Sequence, residues 1–217
     1  MRLRAAVAVV FALVAPARGQ SQPAPSQPAP RGADFVDVAV VAPAIKLDLR
    51  YATADNFTHQ VVYPAARCLL RREVAERLAR VQAALARQKL GLQLWDCYRP
   101  LSVQRRFWAL VPDSRYVANP AQGSRHNRGA AVDVTLVDGD GRELGMGSAF
   151  DDFSARAHRD AVGLAADASA HRATLAAAMA AEGFVGLPTE WWHFDAPEWR
   201  KFPIADVPMT AGDGATK

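Results

Sequence analysis

An acidic residue stands in the middle of an otherwise alternating apolar run, Ala131-Val132-Asp133-Val134-Thr135-Leu136. Read as a strand, this run puts Ala131, Asp133 and Thr135 on one face and Val132, Val134 and Leu136 on the other. A carboxylate central in such a strand costs stability unless it is paired or bound to a metal. The fold must therefore bring a partner to Asp133. The preceding residues, Ser124-Arg125-His126-Asn127-Arg128-Gly129-Ala130, supply one. Gly129 permits a close backbone approach that lets His126 and Asp133, seven residues apart, face one ion. About sixty residues further on, Glu190-Trp191-Trp192-His193 adds a second imidazole and a second carboxylate.

A His beside a Gly is commonly a loop residue, and Trp-Trp-His is commonly packing. The conjunction is more specific than its parts. Catalytic zinc takes three protein ligands from His and Asp/Glu and keeps a fourth position for water. His126, Asp133 and His193 fill the three places. Glu190, three residues before His193, reaches the same locality as a general base, because a metal-activated water needs an acceptor for its proton and a departing amine needs that proton back.

The pattern Ser-x-His-x-x-Gly-x-Ala-x-Asp followed by Glu-x-x-His resembles the zinc peptidases of the D-alanyl-D-alanine dipeptidase and carboxypeptidase family, and both halves match at every defining position. The resemblance runs from about Val36 to Phe202. It implies a single compact α+β domain of the Hedgehog/D,D-peptidase type, with an antiparallel sheet packed with helices and one Zn2+ on the sheet. It also implies hydrolysis of the dipeptide D-alanyl-D-alanine to two D-alanines. Two other readings belong beside it: a zinc carboxypeptidase trimming peptidoglycan stem peptides through a more open pocket, and a non-catalytic, zinc-stabilised cell-wall binding module. Retention of Glu190 argues against the last, since a structural site has no use for an unliganded base.

The same resemblance assigns further residues. Arg99 follows the strand-like Leu92–Tyr98, and an Arg before Pro at a strand end is commonly a surface residue paired with a carboxylate. In the resembled family a Tyr-Arg-Pro triplet at this place sets its Arg beside the zinc to stabilise the oxyanion, a task suited to the forked, permanently charged guanidinium. Tyr51 matches a tyrosine that helps close the substrate pocket. Asp151, with Asp152 as its neighbour, matches the carboxylate that contacts the substrate's free amino group, the feature that makes a dipeptidase reject longer peptides. Ser124 is placed to hold the substrate carboxylate.

The 217 residues suffice for one good core. Residues 1–19 read as a secretory signal: a basic start, an apolar run from Ala5 to Val14, and small residues at Ala15–Gly19. The run is too short to span a membrane, and no Cys follows it to carry a lipid. The expected location is the periplasm, with no stable membrane anchor once the signal is removed. The net charge of +4 includes Arg2, Arg4 and Arg18, so the exported chain carries 23 basic against 22 acidic residues, about +1. With no basic stripe interleaved with aromatics, nucleic acid is not an expected partner. Residues 20–34 form a Pro/Gln/Ser/Ala linker, residues 35–205 the folded domain, and residues 206–217 a flexible tail. Oligomeric state is left open.

Within the domain, Phe35–Val41 and Ile45–Tyr51 alternate like strands. Arg71–Leu90 carries Val74, Leu78, Val81 and Leu85 on one helical face, with Gly91 as the stop. Leu101–Val111 reads as a second helix, Asp138-Gly139-Asp140-Gly141 as a hairpin turn, and Ser154–Glu182 as an Ala-rich helix with a break at Gly163. Trp191, Trp192 and Phe194 are expected to wall the site. His59, His158 and His171 have no ligand-spaced partners and read as incidental. Cys68 and Cys97 are candidates for a disulfide in an oxidising compartment, closing a loop of roughly thirty residues and contributing about 3–4 kcal/mol. Neither is needed as a zinc ligand.

Overall fold

The computed structural model describes residues 35–210; the signal and linker read over 1–34, and the last residues of the tail, lie outside them. The centre is an antiparallel pair. β4 (Leu90–Asp96) lies against β5 (Ala131–Asp138) in a register that sets Leu92 opposite Leu136, Leu94 opposite Val134 and Asp96 opposite Asp133. Their apolar side chains join one core with Val74, Leu78, Val81 and Leu85 of helix α2 (Arg72–Ala86) and with Leu175 and Met179 of helix α4 (Ala166–Ala181). Burying a side chain of this size contributes about 1.5–3 kcal/mol, so these rows fix which face of each strand turns inward.

Strands β2 (Lys46–Leu47), β6 (Val185–Gly186) and β7 (His193–Asp195) complete a five-stranded sheet in the order β2-β4-β5-β7-β6. The sheet is mixed, not purely antiparallel, because β2 runs parallel to β4. A second, two-stranded sheet pairs β1 (Phe35–Asp37) with β3 (Leu69–Arg71). The domain is thus α+β.

Several elements depart from the sequence pattern for local reasons. The alternation at Phe35–Val41 breaks after Asp37, whose carboxylate accepts the Ala39 amide at 3.0 Å and caps a single helical turn, α1 (Val38–Val41). Only Lys46–Leu47 of Ile45–Tyr51 is strand; the chain then turns through Arg50–Ala52. Helix α2 ends at Ala86, well before Gly91; a turn through a left-handed Lys89 (φ 57°) follows, and Gly91 lies inside β4, where an added Cβ would come 3.1 Å from Val137 Cγ2. Of Ser154–Glu182 only α4 is a long helix. Upstream, the buried Arg172 draws the carbonyls of Met146 (2.6 Å), Arg156 (2.8 Å) and His158 (3.0 Å), so those oxygens serve a side chain in place of a helical ladder.

Helix α3 (Leu101–Leu110) starts after Pro100 and buries Val103 and Phe107 in a smaller aromatic cluster with Tyr51, Tyr63 and Tyr98. The chain beyond Pro203 straps this cluster and is not loose where it is described. Ala205 and Met209 are buried, the Ala205 amide donates to the Asn127 carbonyl (2.8 Å), and the Val207 amide donates to the Tyr98 hydroxyl (2.7 Å). Cys68 and Cys97 are joined by a disulfide that ties the start of β3 to the end of β4, with 5.2 Å between their Cα atoms.

Candidate metal centre

Three side chains from three segments converge at one end of the central strands. His126 opens a tight turn, His126–Arg128, that stops at Gly129 in the left-handed conformation (φ 65°). A Cβ at Gly129 would stand 2.4 Å from Phe35 Cε1, so only glycine serves there. Asp133 lies on β5, and His193 begins β7 directly opposite it in the ladder. All three are buried.

Their donor atoms form a nearly equilateral triangle. His126 Nε2 lies 3.2 Å from His193 Nδ1 and 3.3 Å from Asp133 Oδ1, and His193 Nδ1 lies 3.0 Å from that same oxygen. Zinc–ligand bonds of about 2.0–2.1 Å in a tetrahedron place neighbouring ligand atoms about 3.3–3.4 Å apart, so the triangle fits one face of such a site. The far side of each ring fixes its tautomer. His126 Nδ1 donates to the Cys97 carbonyl at 2.6 Å, and His193 Nε2 donates to Asp195 Oδ1 at 2.9 Å. Each neutral ring therefore turns a lone pair inward. Two lone pairs and a carboxylate oxygen meeting at one point repel one another unless a cation lies between them, and the residues present fit a metal for that reason.

Without a cation the site relieves that repulsion by holding a proton on His193 instead. Burial alone would lower the pKa of His193, but hydrogen bonds to Asp133 and Asp195 outweigh it and push the ring up to about 10. Burial works to raise Asp133, and the charges and hydrogen bonds of His126 and His193 win, holding it well below the usual carboxylate range. Among the described residues these three are the group of His, Cys, Asp and Glu able to hold a metal.

Around them lies a cleft of about 270 Å³. Glu190 lines it, its Oε2 3.9 Å from His193 Nδ1, with its carboxyl raised to about 7 by burial and by the charges of Asp133 and Asp151 against the opposing pull of His193. Arg99 lines another wall. Its Nε and Nη2 donate to Asp96 Oδ2 (3.1 and 2.7 Å) and its Nη1 to Gln104 Oε1 (2.9 Å), while Phe107 and Tyr51 pack against the guanidinium plane. A guanidinium has five N–H bonds, so two remain for the cleft. Arg99 is accordingly a buried residue and not the surface residue that an Arg before Pro commonly is.

Asp151 and Tyr51 meet in the same cleft across 100 residues of sequence: the Tyr51 hydroxyl donates to Asp151 Oδ1 at 3.0 Å, and the Phe57 amide to Oδ2 at 3.3 Å. Burial and the nearby Asp133 raise Asp151 to about 7 despite these donors. Its neighbour Asp152 turns away and accepts the Ser154 amide. Ser124 lines the cleft, with Oγ accepting the His126 amide at 3.2 Å. Of the aromatic residues expected to wall the site, Trp192 does so. Trp191 faces Trp95 and donates its indole N–H to Ser148 Oγ, and Phe194 lies under Arg159 away from the cleft. His171 is bound instead to the Gly145 carbonyl.

Two carboxylates that sequence reasoning passed over complete the arrangement. Asp195 orients His193; strand alternation puts residues 193 and 195 on one face, which was the available signal. Asp96, fully buried, accepts from Tyr63, the Cys97 amide and Arg99 at once, and only tertiary structure reveals it.

The family model described as D-ala-D-ala dipeptidase matches residues 31–207. A D-alanyl-D-alanine dipeptidase of Escherichia coli is 39% identical over 171 residues, covering 79% of this chain and 89% of that protein. One from Enterococcus faecium is 35% identical over 75% of this chain and 90% of its own length, and one from Streptomyces coelicolor is 34% identical over 79% and 98%. With matches of this extent and a His-Asp-His centre built for a cation, the chain belongs to the D-Ala-D-Ala dipeptidase family, peptidase M15, and is a metallopeptidase.

Proposed function

We propose that the protein hydrolyses D-alanyl-D-alanine to two D-alanines, with one zinc ion held by His126, Asp133 and His193. When bound, zinc supplies a Lewis acid and a water of lowered pKa. The chain's own residues do the rest. Glu190 accepts the proton of the attacking water and returns it to the leaving amine nitrogen. Arg99, locked by Asp96 and Gln104, donates its two remaining N–H bonds to the oxyanion that develops on the scissile carbonyl. Ser124 holds the substrate carboxylate at the rim of the turn that carries His126.

The observation that carries the dipeptide reading is Asp151. A buried carboxylate held by Tyr51 and the Phe57 amide, facing a cleft of about 270 Å³, suits a free ammonium group. A longer peptide has no charge at that position and would leave the anion unpaired. Incubating the purified protein with free D-Ala-D-Ala and, separately, with a stem pentapeptide ending in D-Ala-D-Ala tests this. D-Alanine released from the dipeptide alone is the expected outcome; release from the pentapeptide at a comparable rate makes the protein a carboxypeptidase, and release from neither removes the catalytic reading. Metal analysis of the active preparation identifies the ion.

The basic-apolar-small order of residues 1–19 supports export to the periplasm. An exported enzyme meets dipeptide outside the cytoplasm, which suits scavenging of wall fragments. Fractionation of cells carrying the native chain tests the location.

A further inference from the structure

We infer that the Cys68–Cys97 disulfide belongs to the metal-holding apparatus, with Cys97 acting as a positioning residue for His126; this rests on the metal centre described above. The main-chain carbonyl of Cys97 receives the His126 Nδ1 proton at 2.6 Å, and that bond keeps the Nε2 lone pair turned towards Asp133 and His193. The next acceptor for Nδ1, Asp96 Oδ2, is 3.6 Å away and already takes Arg99.

The Cys97 carbonyl is not set by the sheet. β4 ends at Asp96, whose pairing with Asp133 is the last rung of its ladder with β5. Beyond that rung the chain is fixed by the Cys97 amide on Asp96 Oδ1 (2.9 Å), by the Tyr98 amide on the Leu69 carbonyl (3.0 Å), by the Arg99 amide on the His126 carbonyl (3.1 Å) and the Asn127 side-chain amide on the Arg99 carbonyl (2.8 Å), and by the covalent bond to Cys68, a tie that acts on Cys97 itself from the start of β3. Cys68 is itself anchored, since its carbonyl accepts the Val38 amide at 2.9 Å. Both cysteines are buried, at 0% and 1% exposure, so the bridge is packed between the β1–β3 ribbon and the end of β4. The same few residues carry Asp96 and Arg99. A disulfide placed only to shorten the unfolded chain has no need to end on the residue whose own carbonyl orients His126. Here it pins the floor on which the His126 turn rests.

The test uses the full chain and separates positioning from plain stabilisation. The double variant Cys68→Ala, Cys97→Ala leaves no thiol to bind metal adventitiously. Its zinc Kd, measured by competition with a chromophoric chelator at a temperature where circular dichroism shows the native fold, is expected to rise about 10–100-fold, the usual cost of losing the support behind a metal-bound histidine. A role in stability alone lowers the melting temperature of metal-free and metal-loaded protein together and leaves the Kd of the folded protein unchanged; that result overturns the inference.

Should the double variant not fold, Cys68→Val, Cys97→Ala, which restores part of the buried volume of the bridge and likewise leaves no thiol, is measured in the same way. Zinc release to the chelator is then expected to be at least about tenfold faster than from the native protein, and equal release rates overturn the inference. The native protein serves as the control for the metal reading itself: if it binds no zinc, that reading fails, whereas equal affinities with and without the bridge sink only the role of the disulfide.

Discussion

His193 and Asp195, two residues apart on β7, are joined side chain to side chain, with Nε2 2.9 Å from Oδ1. The carboxylate takes the outer proton of the ring and leaves Nδ1 free to act as a ligand. Asp195→Ala is expected to weaken zinc binding about 10–100-fold, and Asp195→Asn, which keeps an acceptor oxygen, by less. Chelator competition measures both. Native affinity in the alanine variant would show that the ring is oriented by something else.

As the proposed base, Glu190 is expected to set the acid limb of the pH profile. Burial, with Asp133 and Asp151 adding to it and His193 opposing it, raises its carboxyl to about 7. A base must be unprotonated to accept a proton, so kcat falls as pH drops through that pKa. A cation beside His193 Nδ1, itself 3.9 Å from Glu190 Oε2, favours the carboxylate and sets the limb at or below pH 7. Glu190→Gln is expected to cost about 10²–10⁴ in kcat and to remove the limb while zinc stays bound. A zinc-loaded glutamine variant with native kcat would end the assignment.

On the proposed reading Tyr51 is expected to act on substrate through Asp151. Its hydroxyl, 3.0 Å from Oδ1, favours the ionised carboxyl against the burial that raises it to about 7. Tyr51→Phe therefore raises the Asp151 pKa further, and at neutral pH a larger share of Asp151 is uncharged and unable to pair with an ammonium. KM for the dipeptide is expected to rise about tenfold, in line with about 1.5–3 kcal/mol for a hydrogen bond to a charged group, and to recover towards higher pH with kcat nearly unchanged. A KM equal to that of the native enzyme across pH 6–8 would contradict this.

Arg99→Lys keeps a positive charge and loses the fork. A single ammonium cannot satisfy Asp96 and Gln104 and still present donors to the cleft. Turnover is expected to fall by about 10²-fold with zinc content unchanged. Steady-state kinetics alongside metal analysis decides it, and undiminished turnover would exclude the oxyanion role.

Removing the metal changes how stability depends on pH. In the metal-free protein His193 titrates near 10, raised by Asp133 and Asp195 over the effect of burial. Its unfolded value is about 6.5. A folded pKa above the unfolded one means the contribution is fully present below about pH 6.5 and is lost as pH rises towards 10. The melting temperature of chelator-stripped protein should therefore fall between those limits, while zinc-loaded protein, with Nδ1 occupied, should not follow it. Asp151 and Glu190, raised to about 7, act in a lower window. Parallel melting curves for the two forms would rule out this titration.

What was legible in the sequence was local. Asp133 in an alternating run and Gly129 before it define a strand and a turn within a few residues of one another, and the structure brings His126, Asp133 and His193 within ligand distance. The partners behind them were not legible in the same way. Asp96 matters because Tyr63, Arg99 and the Cys97 amide converge on it from different segments. The parallel β2 is only two residues long and carries no periodic signal. The Ala-rich composition after Ser154 predicts helix, and Arg172 overrides that propensity by binding carbonyls upstream of α4. The strap over Tyr98 looked like a tail because its anchors, Ala205 and Val207, contact residues a hundred positions earlier or nearly so.

The pairing of Asp133 with His193 across the β5–β7 ladder joins residues sixty positions apart, so the ligand set exists only once the sheet has closed. An ion that binds the native chain and ignores the unfolded one stabilises it by mass action, about 2.7 kcal/mol when the free ion stands at a hundred times Kd. Metal supply is therefore expected to set the protein's lifetime as well as its rate of turnover. Protease digestion of chelator-stripped protein is expected to outpace that of metal-loaded protein, so that metal starvation would remove the enzyme along with its activity.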